Sequence, residues 1–193
     1  MKGRSVAGRG VYVVYSGTAV TAPIFKPRGY ASQGGRMDVI ASSILAAQHD
    51  PNPGFYAALL GPPDPPKILR VDRWGFRSEY HVVAEVLAGF KNGGMISISR
   101  GDPLDPVYQC RECTVFLVEE GGNDVSVYRD KLCGDTVYLL GGHTGFPQSL
   151  YSVLEGVSDA TISLGSISLQ TYQAILYLAW ARSVNCGPSS RRE

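Results

Sequence analysis

The sequence lacks the features by which several large classes of protein are recognised. No apolar run approaches the roughly 18 residues of a membrane-spanning helix, and the charged N-terminus lacks the apolar core of a secretory signal. Lys and Arg number 18 against 17 Asp and Glu, a formal net charge of +1. This balance argues against a uniformly basic nucleic-acid binder, although it allows a local basic patch. We therefore predict a cytoplasmic protein without a membrane partner.

Cysteine is scarce, and its spacing restricts what the thiols can do. The four are Cys110, Cys113, Cys133 and Cys186. The first two form Cys-x-x-Cys, which is half of a zinc or redox signature. A zinc ribbon needs a second close pair, and a thioredoxin-like pair opens a helix, whereas a strand-like run follows here at residues 114–118. A local disulfide or two ordinary thiols are the remaining alternatives, and we predict no metal site.

The common nucleotide and hydrolase motifs are also missing. The first strand-like run is not followed by Gly-x-Gly-x-x-Gly, and neither a phosphate-binding Gly-x-x-x-x-Gly-Lys-Ser/Thr loop nor a Gly-x-Ser-x-Gly elbow is present. The three histidines, His49, His81 and His143, have no metal-ligand spacing. His143 alone lies in a candidate ligand loop, where a role in the site and a plain polar loop residue are both open.

The residues that are present alternate between strand-like and helix-like patterns. With 193 residues the chain fits one domain, which we place at residues 1–183, followed by a flexible tail at 184–193. The alternation predicts an α/β fold with a mostly parallel sheet and helices on both faces. Strands are predicted at residues 10–15, 55–60, 67–71, 95–99, 114–118, 136–140 and 160–163. Helices are predicted at residues 36–48, 79–90, 148–155 and 169–181.

Two late loops, each following a strand, are the best candidates for a ligand site. The first reads Leu-Leu-Gly-Gly-His-Thr-Gly at residues 139–145, and the second Ile-Ser-Leu-Gly-Ser-Ile-Ser-Leu at 162–169. Such loops cluster at the carboxyl ends of strands, where ligands bind, and glycine allows close backbone approach. Without a phosphate motif, the ligand that fits is S-adenosylmethionine, which carries adenine, ribose and a sulfonium group but no phosphate.

The order of these elements resembles the knotted methyltransferases of the SPOUT superfamily. Two further segments look like those of the archaeal tRNA pseudouridine-54 N1-methyltransferases: Gly-Arg-Met-Asp at residues 35–38 and Phe-Tyr-Ala-Ala-Leu-Leu-Gly-Pro-Pro-Asp-Pro-Pro at 55–66. The resemblance covers residues 9–182 and is weakest at 100–133, the variable middle of the domain. It implies a deep C-terminal trefoil knot, a homodimer packed through the first and last helices, and tRNA as the substrate.

By this resemblance, the two loops bind the cofactor. The implied cofactor-binding residues are Leu140, Gly141, Gly142, Gly145, Ser163, Leu164, Gly165, Ile167 and Leu169. The alternative is that both loops are ordinary strand-to-helix turns. Members of the family often carry a proline in the second loop and a cysteine in the last helix. At these places this chain has Gly-Ser at residues 165–166 and Tyr-Gln-Ala-Ile at 172–175, so no cysteine nucleophile or acid is assigned there.

The resemblance also implies that Arg36 and Asp38 are the catalytic residues. Methylation at N1 of pseudouridine requires in-line approach to the methyl group and loss of the N1 proton. Arg36, with its fixed fork of donors, would hold phosphate or the uracil oxygens. Asp38 would accept or orient the proton. The alternative is that Asp38 only stabilises the start of its helix through the helix dipole.

Arginines interleaved with an aromatic residue are the candidates for RNA contact, because they suit phosphate neutralisation and base stacking. The predicted RNA-binding residues are Arg70, Arg73, Trp74, Arg77 and Arg100. Isolated surface arginines are also common without such a role. The predicted function is S-adenosylmethionine-dependent N1-methylation of pseudouridine at position 54, in the T loop of tRNA. The alternatives are N1-methylation of pseudouridine in ribosomal RNA by a related knotted enzyme, and a non-catalytic RNA-binding protein of the same fold.

Overall fold

The computed structural model describes residues 7–186, which form one seven-stranded sheet flanked by five α-helices. The strands are β1 (Gly10–Ser16), β2 (Pro53–Leu59), β3 (Lys67–Val71), β4 (Ile96–Arg100), β5 (Thr114–Asp124), β6 (Thr136–Gly141) and β7 (Ala160–Ser163). Their order across the sheet is β4-β3-β2-β1-β6-β5-β7. Neighbouring strands are parallel from β2 through β1, β6 and β5 to β7, which confirms the predicted mostly parallel sheet.

Strand β3 departs from the parallel arrangement, since it runs antiparallel to both β2 and β4. The connection from β2 to β3 is the short segment 60–66, which contains four prolines. A parallel crossover needs a dozen or more residues, so a segment of this length can only return the chain antiparallel. Strand β3 therefore begins beside the carboxyl ends of β1, β2 and β6, with Lys67 opposite Leu59.

Helices cover both faces of the sheet, as predicted. They are α1 (Met37–Ala47), α2 (Glu79–Gly89), α3 (Asp105–Tyr108), α4 (Gln148–Val157) and α5 (Thr171–Cys186). Helices α1, α2 and α5 pack on one face, and α3 and α4 on the other. None of the helices within residues 7–186 has the length and apolar character needed to cross a bilayer.

Local sequence accounts for most of these helices. In α1 the buried residues Met37, Ile40, Ala41 and Ile44 follow helical spacing. At the start of α2, Ser78 Oγ accepts a hydrogen bond from the His81 backbone N–H at 3.2 Å, which is the predicted N-cap. Helix α5 continues five residues past its predicted end at residue 181, so residues 184–186 are helical. The rest of the predicted tail, 187–193, lies outside the described residues.

A buried ion pair ties α5 to the centre of the sheet. The Arg182 Nε donates to Asp50 Oδ2 at 2.6 Å, and both side chains are fully buried. Tyr12 in β1 donates its hydroxyl to the same carboxylate at 2.7 Å, and Arg182 also binds the carbonyls of Gly8 and Leu132. Burial of a charge is tolerated only when it is paired and hydrogen-bonded, so this network fixes where α5 lies.

All four cysteines are paired in the structure. Cys110 and Cys113 form a local disulfide with Cα atoms 5.5 Å apart, which selects one of the alternatives left open by the sequence. Cys133 and Cys186 form a second disulfide, with Cα atoms 5.1 Å apart and a sequence separation of 53. The second pairing was not predicted from the sequence. It joins the end of α5 to the segment just before β6.

Candidate cofactor cleft and active site

A cleft of about 600 Å³ lies at the carboxyl ends of β6 and β7, beside the irregular part of β5. We call this end of the strands the cleft edge. Ligands of parallel α/β sheets bind at such a position. All nine predicted cofactor-binding residues line the cleft: Leu140, Gly141, Gly142, Gly145, Ser163, Leu164, Gly165, Ile167 and Leu169. The structure therefore brings the two predicted loops together around one cavity.

The first loop folds tightly back over the end of β6. The Gly142 N–H donates to the Tyr15 carbonyl at 2.8 Å, and the Gly145 N–H donates to the Gly142 carbonyl at 2.9 Å. A Cβ atom on Gly141 would lie 2.5 Å from the Gly145 carbonyl carbon, so a side chain there would force the turn open. Glycine at position 141 is thus required by the loop's own backbone.

Each loop also contains a glycine that faces open space. Gly145 has φ of +78° and Gly165 has φ of +126°, a region that favours glycine. A Cβ atom at either position would meet nothing within 4 Å. In the second loop, Ser163 Oγ donates to the Gly165 carbonyl at 3.1 Å and holds the turn. Both glycines line the cleft, and the space beside each lets a ligand approach the backbone of its loop closely.

Arg36 reaches the cleft formed by the two late loops, although it lies more than a hundred residues earlier in the chain. Arg36 lines the cleft, and its Nη2 donates to Asp38 Oδ2 at 2.9 Å. The carboxylate of Asp38, by accepting these hydrogen bonds and by its charge, raises the pKa of Arg36. The structure therefore places the two predicted catalytic residues as one ion pair beside the cofactor cleft.

The backbone that presents this ion pair is unusual. Arg36 has φ of +65°, which is uncommon for a residue other than glycine and tends to occur at functional sites. The preceding Gly35 is also left-handed, and a Cβ there would clash with the Thr18 carbonyl. The Thr18 hydroxyl donates to the Gly35 carbonyl at 2.8 Å. The turn is thus held from the end of β1, which fixes the direction of Arg36.

Two carboxylates in the cleft were missed by the sequence reasoning. Glu119 and Glu120 line it from within β5, where the pairing of β5 with β7 is interrupted between Val118 and Asn123. Burial, followed by the negative charge of Glu120, raises the pKa of Glu119. The signal was present as two consecutive acidic residues directly after a buried strand. The sequence pattern predicts that this strand ends at residue 118, and it does not reveal which strands lie beside it.

The chemistry of the cleft fits S-adenosylmethionine. Its lining includes no lysine, and its single arginine is paired with Asp38, so it offers little for a phosphate. The apolar side chains of Leu140, Leu164 and Ile167 provide a surface for adenine. The carboxylates of Glu119 and Glu120 complement a ligand with cationic and hydroxyl groups. His143 also lines the cleft and is exposed.

The predicted RNA-binding residues are not brought to this cleft. Strand β3 runs away from the cleft edge, and Arg70 near its end pairs with Asp72 at 2.6 Å. Arg73 donates to the Gly94 carbonyl at 3.0 Å in the turn beyond that strand. Trp74 packs edge-on against Phe76 in the same turn. Three of the five predicted RNA-binding residues therefore have their side chains in contact with other residues of this chain.

The other two predicted RNA-binding residues differ from each other. Arg77 is exposed in the turn before α2, whereas Arg100 ends β4 at the cleft edge and pairs with Asp64. Lys26 and Arg28 are exposed and are not among the predicted RNA-binding residues. They lie on the loop that follows β1 at the cleft edge and leads to Arg36. Hydrophobic and charge patterns give no signal for them, because only the loop's path places them there.

The fold is shared with solved methyltransferase structures. One is Archaeoglobus fulgidus Nep1 bound to S-adenosylhomocysteine, with a TM-score of 0.62 and 17% identity over 94% of this chain and 97% of that one. Another is the ribosomal RNA small subunit methyltransferase E of Neisseria gonorrhoeae bound to S-adenosyl methionine, with a TM-score of 0.51 and 10% identity over 92% and 67%. At these identities the likeness shows a shared fold, a mostly parallel α/β sheet with helices on both faces.

Sequence comparison points to a narrower group within that class. A tRNA (pseudouridine(54)-N(1))-methyltransferase of Aeropyrum pernix is 29% identical over 181 residues, 89% of this chain and 93% of the relative. One of the same name from Pyrococcus abyssi is 24% identical over 194 residues, 87% of this chain and 94% of the relative. No family model matches the chain. The resemblance to the archaeal tRNA pseudouridine-54 N1-methyltransferases is thereby confirmed.

Proposed function

We propose that this chain is an S-adenosylmethionine-dependent methyltransferase that methylates N1 of pseudouridine at position 54, in the T loop of tRNA. The observation that carries the proposal is that Arg36, which is paired with Asp38, lines one cleft together with both glycine loops. Relatives of this name match the chain over nearly its whole length, which supports residues 1–183 acting as one methyltransferase domain.

The roles of the residues follow from their positions in the cleft. When bound, S-adenosylmethionine supplies an activated methyl group on a cationic sulfur. The uncovered backbone at Gly145 and Gly165 would bind its polar groups, with adenine against the neighbouring leucines. Arg36 would hold the uracil oxygens or a phosphate of the RNA with its fork of donors. Asp38, kept in place by Arg36, would accept the N1 proton.

We further propose a homodimer formed through α5, together with α1. The exposed apolar side chains of α5 are Leu176, Tyr177, Trp180 and Val184. Their spacing puts them on one face of the helix, and an exposed apolar patch marks an interaction surface. A second copy seated on this face would lie next to the cleft, because the first turn of the same helix lines it.

The trefoil knot is part of the same proposal. Helix α5 follows directly from the second loop, packs against α1, and is anchored near β1 by the Arg182–Asp50 pair. A helix that threads behind the first loop would reach this position. For tRNA binding we add Lys26 and Arg28 to the five predicted residues, and binding should weaken steeply with salt because phosphate contacts release counterions.

Methyl transfer from labelled S-adenosylmethionine tests the proposal. The substrates are a tRNA with pseudouridine at position 54, the same tRNA with uridine there, and a ribosomal RNA fragment that contains pseudouridine. We expect transfer to the first alone. Transfer to the ribosomal fragment alone would favour the ribosomal alternative. Cofactor binding in calorimetry without transfer to any RNA would favour a non-catalytic protein, and absence of binding would overturn the methyltransferase proposal altogether.

A further inference from the structure

The two cofactor loops are not neighbours in the sheet. Strand β5 lies between β6 and β7, and adjacent strands are about 4.8 Å apart, so the loops leave the sheet about 10 Å from each other. The width of the cleft therefore depends on contacts between the loops rather than on strand pairing.

One hydrogen bond makes this connection. The Thr171 hydroxyl donates to the Gly141 carbonyl at 2.7 Å, and both residues line the cleft. Within residues 7–186, it is the single hydrogen bond that joins segment 141–147 to segment 163–174. Thr171 is only 8% exposed, so water competes little for either partner.

The start of α5 leaves the Thr171 hydroxyl free for this contact. A threonine at a helix start commonly caps its own helix. Here the backbone N–H of Gln170 donates to the Gln173 side chain at 2.9 Å, as in the reciprocal half of a capping box. The Gln170 carbonyl accepts from the Ala174 N–H at 3.0 Å. The helix is thus capped by glutamine, and the threonine binds across the cleft.

We infer that Thr171 is a positioning residue that sets the separation of the two loops and thereby the affinity of the cleft for an adenosyl cofactor. The inference rests on the proposed function, because it needs the cleft to be a cofactor site. Without the hydroxyl, the Gly141 carbonyl loses a buried donor, and the first turn of α5 is no longer held to the end of β6. The cofactor would then have to restore the spacing on binding, at the expense of affinity.

The test compares two substitutions at this position with a matched control. Thr171→Val keeps the shape and removes the donor, whereas Thr171→Ser keeps the donor. Thr21→Val is the control, since Thr21 is fully buried and lies outside the cleft lining, on the loop that follows β1. Its hydroxyl donates to the Gly61 carbonyl at 3.2 Å and accepts from the Asp64 N–H at 2.7 Å. Calorimetry gives the dissociation constants of S-adenosylmethionine and S-adenosylhomocysteine, and thermal unfolding of the cofactor-free proteins gives their stabilities.

We expect Thr171→Val to weaken both ligands about fivefold to tenfold, which is the value of one buried hydrogen bond. Thr171→Ser should stay within about twofold of the wild type. Thr21→Val should lower the unfolding temperature without changing either dissociation constant. If Thr171→Val does not fold, Thr171→Ala makes the same comparison with a smaller side chain.

Wild-type affinity in Thr171→Val, or equal weakening in Thr21→Val, would overturn the inference while the proposed function stands. If the wild-type protein itself binds neither ligand, the proposed function fails, and the inference fails with it. The two failures are distinguished by the wild-type titration.

Discussion

At the scale of single residues, Arg36 is constrained more strongly than its exposure suggests. Its backbone is left-handed, the turn before it is held by Thr18, and its guanidinium is bound by Asp38. A flexible surface arginine would need none of these contacts. The arrangement keeps the carboxylate of Asp38 in a fixed place, which its proposed role as proton acceptor requires before the substrate binds.

Replacing Asp38 tests whether its carboxylate takes part in the reaction. Asp38→Asn keeps the size of the side chain but cannot accept the proton, so the transfer rate should fall about 100-fold or more. The dissociation constant of S-adenosylmethionine should stay within about twofold. Asp72→Asn, which removes a carboxylate paired with Arg70 on the distant turn, is the control. Full activity in Asp38→Asn would reduce Asp38 to a residue that stabilises the start of α1.

The carboxylate of Glu119 should make cofactor affinity depend on pH. Its pKa is raised by burial and by Glu120, and its charged form attracts a cationic ligand. Protonation as the pH falls through this raised pKa removes the attraction, so S-adenosylmethionine should bind more weakly at about pH 5 than at about pH 7.5. Titrations at several pH values test this.

Glu119→Gln should bind S-adenosylmethionine more weakly at neutral pH, by about threefold to tenfold, and its pH dependence should be flatter. Neutral S-adenosylhomocysteine should be less affected than the sulfonium cofactor. An unchanged pH profile in Glu119→Gln would show that another group titrates.

At the scale of elements, α5 does three things in one helix. Its first turn lines the cleft, its buried side packs against α1 and the sheet, and its outer face exposes a tyrosine and a tryptophan whose rings lie 6.0 Å apart. Because α5 carries apolar residues on both its buried side and its outer face, its sequence does not show one apolar face opposite one polar face. The dimer proposal belongs to the outer face.

A charge on this outer face should disrupt the dimer. Trp180 is 57% exposed, so Trp180→Glu should leave the fold intact while placing a desolvated carboxylate in the interface, which is unfavourable. Sedimentation should then give a monomer where the wild type gives a dimer. Val153→Glu, at a 44% exposed apolar residue of α4 on the opposite face of the sheet, should remain dimeric. A monomeric wild type would contradict the proposal directly.

At the scale of the whole molecule, covalent and ionic links hold distant parts of the chain together. The disulfide between Cys133 and Cys186 closes a loop of 53 residues, next to the Arg182 network that joins α5 to β1. The disulfide between Cys110 and Cys113 spans three residues. Because a cross-link restricts the unfolded chain more when the loop is longer, the two should contribute unequally to stability.

Removing each disulfide by paired serine substitutions checks this difference. Loss of the Cys133–Cys186 link should lower the free energy of unfolding by about 4 kcal/mol, and loss of the Cys110–Cys113 link by about 2 kcal/mol, from the loop lengths alone. Urea unfolding of both variants and the wild type provides the values. Equal losses would mean that native-state contacts, and not loop length, set the contribution of these links.

Sequence alone determined the local elements and the position of the two glycine loops that line the cleft. Strands and helices such as β3, α1 and β7 could be located because their hydrophobic spacing and caps are local properties. The two loops could be recognised because their glycine and serine residues shape the backbone turn of the loop in which they lie, which is a local property. Resemblance to a family added Arg36 and Asp38, which no periodicity would have joined to loops so far along the chain.

Only the tertiary structure decided which distant residues meet. Strand β5 runs on to Asp124 because its irregular end pairs with β7, and this places Glu119 in the cleft. The short proline-rich connection before β3 turns that strand around, which carries Arg70 and Arg73 away from the cleft edge. Cys133 reaches Cys186 through the path of α5. The physical reason is common to all of these: spacing in the sequence reports local conformation, whereas contacts across the sheet depend on strand order and direction.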